Sequence, residues 1–123
     1  MAKPTRAQRP IDRLRKICLA LPQATEQQAW GDPTFRIGGK IFAMYKIGDG
    51  RKSVWCKAPA GSQKILVGAD PEVFFAPPYV GPKGWVGMRL DIAVDWTEVA
   101  ALVARSYGLI VPKRVPKWDR RQL

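Results

Sequence analysis

The chain has 123 residues, 46% of them hydrophobic and 25% charged, with no histidine and two cysteines. That length supports one domain with a core that needs no disulfide staples, and no apolar run approaches the roughly 20 residues of a membrane-spanning helix, so no membrane partner is expected. With 21 Lys and Arg against 10 Asp and Glu, the net charge of +11 points instead to polyanions.

Apolar residues Ile11, Leu14, Cys18 and Leu21 recur at helical spacing, which predicts a helix from Pro10 to Leu21, stopped by Pro22. The apolar piece Ile17 to Leu21 is too short for a signal-peptide core, so a cytoplasmic protein is expected. Four short aromatic or β-branched runs follow, Glu26 to Trp30, Thr34 to Ile37, Lys40 to Ile47 and Ser53 to Lys57. The turn signals Gly31-Asp32-Pro33, Gly38-Gly39 and Gly48-Asp49-Gly50 divide them. A four-stranded meander is the reading, with Thr25 to Gln28 also compatible with a helix cap.

Helical signals return over Ala60 to Val67, and Asp70-Pro71-Glu72 has the form of a second short helix start, closed by Pro77-Pro78. Tyr79-Val80, the turn Gly81-Pro82-Lys83-Gly84 and the strand Trp85 to Leu90 then read as a strand pair. Asp95-Trp96-Thr97-Glu98 opens a last helix, carried by Trp96, Val99, Val103 and Tyr107 and ending near Gly108. The order predicts an α+β domain with helices packed on one face of an antiparallel sheet.

Catalytic chemistry finds little support, and no catalytic residue is assigned. Without histidine there is no Ser-His or Cys-His pair and no neutral-pH proton shuttle. Cys18 and Cys56 lack both a base partner and zinc-site spacing, so both are expected to be reduced and buried. Asp91 and Asp95 serve better as a strand end and a helix cap than as a carboxylate pair. Gly-Pro-Lys-Gly leads into a strand, not a helix N-terminus, so it is no phosphate loop. No metal or cofactor is expected, and only a pocket lined by Lys57, Asp91 and Trp85 would reopen an enzymatic reading.

The remaining signal is basic. Six basic residues against one acid in residues 1–16, and five against one in residues 113–123, place most of the charge at the ends. Within the domain, Arg36 and Lys40 flank the Gly38-Gly39 turn, Lys46, Arg51 and Lys52 surround the next, Lys83 sits in a third, and Arg89 follows it. These seven are the candidate nucleic-acid contacts, directed at phosphates and carrying little sequence information. Tyr45, Trp55 and Trp85 lie near them in sequence, either as core or as stacking surfaces.

The segments G-W-V-G-M-R-L-D (Gly84 to Asp91), D-W-T-E-V (Asp95 to Val99) and S-Y-G-L-I-V-P-K-R (Ser106 to Arg114) resemble the MmcQ/YjbR-like family. G-K-I-F-A-M-Y (Gly39 to Tyr45) and L-A-L-P (Leu19 to Pro22) fit it too. The resemblance covers residues 9–115, leaving basic tails at 1–8 and 116–123. It implies a two-layer α+β fold akin to secretion chaperones, a double-wing mode of DNA binding through hairpins, DNA ahead of RNA, and no catalytic residues. In that frame the stretch Pro77 to Asp91 is structural apart from Lys83 and Arg89: prolines stop a helix, glycines turn the chain and Trp85 anchors the returning strand. A protein-interaction or adaptor module, with a partner chain or a homodimer, is the alternative that an exposed apolar patch would favour.

Overall fold

The computed structural model describes residues 9–48 and 51–111. The basic tails expected at 1–8 and 116–123, and the Asp49-Gly50 turn, lie outside the described residues. The chain runs α1 (Pro10–Leu19), β1 (Thr25–Ala29), β2 (Asp32–Ile37), β3 (Lys40–Gly48), β4 (Arg51–Lys57), α2 (Ser62–Ala69), β5 (Phe74–Phe75), β6 (Trp85–Arg89) and α3 (Trp96–Ile110). The six strands form one sheet in the order β1-β2-β3-β4-β6-β5, with every neighbouring pair antiparallel. This is the expected α+β arrangement of a sheet with helices on one face.

The core lies between the sheet and the helices α1 and α3. Leu14 and Cys18 of α1, and Val99, Val103 and Tyr107 of α3, bury their side chains against Phe35, Phe42, Val54, Cys56 and Val86. The hydrophobic effect supplies the drive, at roughly 1.5–3 kcal/mol for each fully buried large aliphatic or aromatic side chain. Both cysteines are free and buried. Asp95 caps α3, its Oδ1 accepting from the Thr97 N–H at 2.9 Å, as the acid at that position predicts. Arg15 ties α1 to the sheet through two donors on Glu26, at 2.6 and 3.0 Å.

One polar side chain sits at the centre of this packing. The register between β2 and β3 shifts so that Phe35 faces Ala43 while Arg36 faces Ile41, leaving Phe42 as the extra residue of a bulge. Ser106 of α3 is fully buried, donates to the Phe42 carbonyl at 2.6 Å and accepts the Lys57 N–H at 2.9 Å. The bulge lets Phe42 and Ala43 both bury on the helix side, where the Phe42 ring meets Tyr107 edge-on at 5.3 Å. The Tyr107 hydroxyl donates to the Pro22 carbonyl at 2.6 Å, closing the loop after α1.

Four local expectations are corrected. The helix start at Asp70-Pro71-Glu72 does not propagate: the Asp70 carbonyl accepts from Val73 and Phe74 at 3.1 and 2.9 Å, and the chain then enters β5. There Phe74 buries beside Met88, and the Arg89 N–H donates to the Val73 carbonyl at 2.8 Å. Burial against β6 outweighs one more helical turn on an exposed Asp-Pro-Glu. Consequently Phe74–Phe75, not Tyr79–Val80, pairs with β6, and Gly81–Lys83 is a single 3-10 turn ending at Gly84 with φ 88°. The β1–β2 turn is Trp30-Gly31, so Asp32 and Pro33 belong to β2. Finally, α1 ends at Leu19 and α3 continues to Ile110. No helix among the described residues is long and apolar enough to cross a membrane.

Candidate functional site

Side chains alternate across a strand, so each strand contributes one set to the helix layer and one to the opposite face. The residues paired across the sheet share a face: Arg36 with Ile41, Thr34 with Met44, Met44 with Trp55, Lys46 with Ser53, Ser53 with Arg89, and Lys57 with Trp85. This is the face turned away from α1 and α3, and Arg51 joins it by alternation from Ser53. It therefore combines five cations, Arg36, Lys46, Arg51, Lys57 and Arg89, with Trp55, Trp85, Ile41 and Met44.

The apolar members form the floor of a groove of about 470 Å³, with Lys46, Trp30, Tyr79 and Val80 completing its lining. Trp30 and Tyr79 stand far out of the molecule, 77% and 89% exposed. Both have left-handed backbones, φ 54° and φ 66°. Trp30 and Gly31 (φ 81°) have the two positive φ values of a type I′ turn, the same form that Gly38 (φ 58°) and Gly39 (φ 80°) adopt between β2 and β3. Glycine or asparagine meets that requirement cheaply; a bulky aromatic does not. Tyr79 is held by the loop from Ala76 to Gly84, which α2 clamps: Gln63 Nε2 donates to the carbonyls of Gly81 at 2.8 Å and Trp85 at 2.5 Å. The stretch Pro77 to Asp91, expected to be structural apart from Lys83 and Arg89, thus also supplies a wall of the groove.

Electrostatics along the rim are uneven. Lys46 pairs with Asp32 at 2.9 Å and lies 5.2 Å from the centre of the Trp55 ring, a cation–π contact. Arg89 hydrogen-bonds both oxygens of Asp91, at 3.0 and 3.2 Å, and those bonds hold the Asp91 carboxyl below its ordinary range. Arg36 Nε donates to Thr34 Oγ1 at 3.2 Å. Among the described residues, Lys40, Arg51, Lys52 and Lys83 are exposed and make no ion pair.

The seven predicted contacts do not form one cluster. Arg36, Lys46, Arg51 and Arg89 share the uncovered face, whereas Lys52 alternates to the other. The turn bearing Lys40 and the start of β4 bearing Arg51 and Lys52 lie at opposite ends of β3, about 27 Å apart for nine residues in extended form. Lys83 precedes β6 at the Lys40 end, where Trp85 pairs with Lys57. Tyr45 is core and Trp85 is buried as well, at 9% exposure in the floor of the groove, whereas Trp55 is half-buried and lines it. The groove that holds Trp85 is lined by neither Lys57 nor Asp91, which lie at opposite ends of β4 and β6. Trp30 and Tyr79 are not among the site residues singled out from the sequence; for Trp30, an aromatic directly before a turn glycine and between two strands was the one available signal. No metal-holding group of three or more Cys, Asp or Glu occurs among the described residues.

A family model described as YjbR matches residues 19–109. No curated protein matches the chain. Among solved structures, a Deinococcus radiodurans protein with a DUF419 domain is similar in fold, with a TM-score of 0.75 at 24% identity, over 94% of this chain and 90% of that one.

Proposed function

The chain belongs to the YjbR family, and on that premise we propose that it is a nucleic-acid-binding protein of low sequence specificity, acting on DNA by phosphate contact and not as an enzyme. The observation that carries the reading is the +11 charge together with its display. Exposed Lys40, Lys83, Arg51 and Lys52 occupy the two ends of the sheet, and Arg36, Lys46, Arg51, Lys57 and Arg89 its uncovered face. Cations distributed in this way follow a backbone and read no bases. The hairpin cations then engage a strand that crosses the sheet, since the tips lie at opposite ends, and the basic termini add non-specific attraction.

Fluorescence anisotropy of labelled DNA across a salt series tests this. The logarithm of affinity should fall linearly with the logarithm of salt, by about 0.9 for each phosphate neutralised on a duplex and about 0.7 on a single strand. Changing Lys40, Arg51, Lys52 and Lys83 together to alanine should flatten that slope. A salt-independent affinity, or none at all, overturns the reading. The groove favours a second reading, a protein-interaction module, because exposed Trp30 and Tyr79 beside an apolar floor are the kind of anchor that protein partners bury.

A further inference from the structure

We infer that the uncovered face of the sheet is a stacking platform for unpaired bases, so that the nucleic acid bound by this protein is single-stranded; the inference rests on the nucleic-acid reading above and specifies it. Three features of the face converge on this. The first is composition. Half-buried Trp55 in the floor and exposed Trp30 and Tyr79 at the rim offer three aromatic rings within one groove, while Trp85, only 9% exposed, completes the floor, and base–aromatic stacking is the main sequence-tolerant source of affinity for single strands. A duplex keeps its base faces stacked on one another and presents none to these rings.

The second feature is backbone strain without structural compensation. Trp30 and Tyr79 occupy left-handed backbone at φ 54° and φ 66°, yet remain 77% and 89% exposed. Packing within the molecule therefore does not account for a large ring at either position, where asparagine or glycine would sit without strain. A planar ligand stacked on these rings would.

The third is charge. Lys46 stands in the groove lining itself, held by Asp32 and by the Trp55 ring, and Arg36, Arg51, Lys57 and Arg89 share the same face. Arg51 is four residues along β4 from Trp55, about 13 Å away on the same face. Protein–protein interfaces deplete lysine from their centres; a strand that stacks its bases and hangs its phosphates on the surrounding cations has a use for it. The groove volume of about 470 Å³ also falls in the range of small-ligand sites.

The test compares, on the full-length protein, labelled oligothymidylate with an abasic deoxyribose-phosphate strand of the same length and with a duplex. Three proteins are measured: wild type, Trp30→Asn and Tyr79→Gly. Because both substitutions suit left-handed backbone at exposed sites, they should leave the fold intact and the melting temperature no lower than that of wild type. Wild type should bind oligothymidylate roughly tenfold or more tightly than the abasic strand, with quenching of tryptophan emission. Each variant should lose most of that preference while keeping the abasic affinity and its salt slope. If wild type binds oligothymidylate and the abasic strand equally, or if the variants retain the full preference, the stacking platform is refuted while phosphate binding stands. Tighter binding to the duplex than to oligothymidylate also refutes it. If no strand binds under any salt condition, the nucleic-acid reading itself falls, and the groove belongs to a protein partner.

Discussion

Gly87 occupies the middle of β6, on the uncovered face between Trp85 and Arg89, and the tip of the Phe75 ring rests where its side chain would be. A methyl group there would meet three ring atoms of Phe75 at 2.3, 2.4 and 2.7 Å. Carbon atoms pack at about 3.5–4.0 Å, so the ring must retreat by more than about 1 Å. Phe75 lies on a two-residue strand at the sheet edge and is only half-buried, which lets it move at the expense of its contacts on β6. Overpacking of this kind costs roughly 1–3 kcal/mol, so Gly87→Ala should lower the melting temperature by about 4–10 °C in a domain of this size. Without the ring the substitution should reverse sign, because alanine in a strand interior is about 0.5–1 kcal/mol better than glycine. Urea and thermal unfolding of Gly87→Ala, Phe75→Ala and the double variant form a cycle that isolates this coupling. A Gly87→Ala change equally costly in both backgrounds would refute the ring contact as its cause.

Three further outcomes follow from the packing. Ser106→Ala strips a buried carbonyl and a buried N–H of their shared partner, and should destabilise the protein by about 1–3 kcal/mol in chemical denaturation. Asp95→Ala removes the α3 cap and should cost about 1 kcal/mol, whereas Asp95→Asn, which caps equally well, should cost little. Burial pushes both the Cys18 and Cys56 thiols up. A raised folded-state value means that their stability contribution is whole below the unfolded thiol range and declines above about pH 8.5, where only the unfolded chain ionises. The urea midpoint should therefore fall from pH 8 towards pH 10, and thiol reagents should label the protein only as fast as it opens.

What could be read from the sequence was what local chemistry decides. Gly38-Gly39 fixed a two-residue hairpin because its backbone requirement has few solutions, and Asp95 marked the start of α3 for the same reason. The strand pair was misplaced because Asp70-Pro71-Glu72 is a legitimate helix start; only the burial of Phe74 against Met88, a contact distant in sequence, cancels it. The turn at Trp30-Gly31 escaped notice because tryptophan is a poor occupant of that backbone, so propensity argued against the answer. The candidate cations were legible one by one, but their division between faces and ends depends on the strand register, and the β3 bulge resets that register at Phe42. The groove was illegible altogether, since it joins the β1–β2 turn to a loop some fifty residues later.

The sheet also has a temporal structure. Strands β1, β2 and β3 each pair with the next strand through short connections, while β6 reaches its place between β4 and β5 only after α2 and the proline-rich loop have been threaded. Contacts between near neighbours close quickly and distant ones slowly, so the meander is the natural early unit and β5–β6 the late one. The two-residue β5 is also the least secured edge, and it borders the wall that carries Tyr79. Amide exchange should accordingly show the segment from Phe74 to Gly84 opening at lower free energy than the meander. A groove built across that seam can widen to admit a strand while the floor that receives the bases stays rigid.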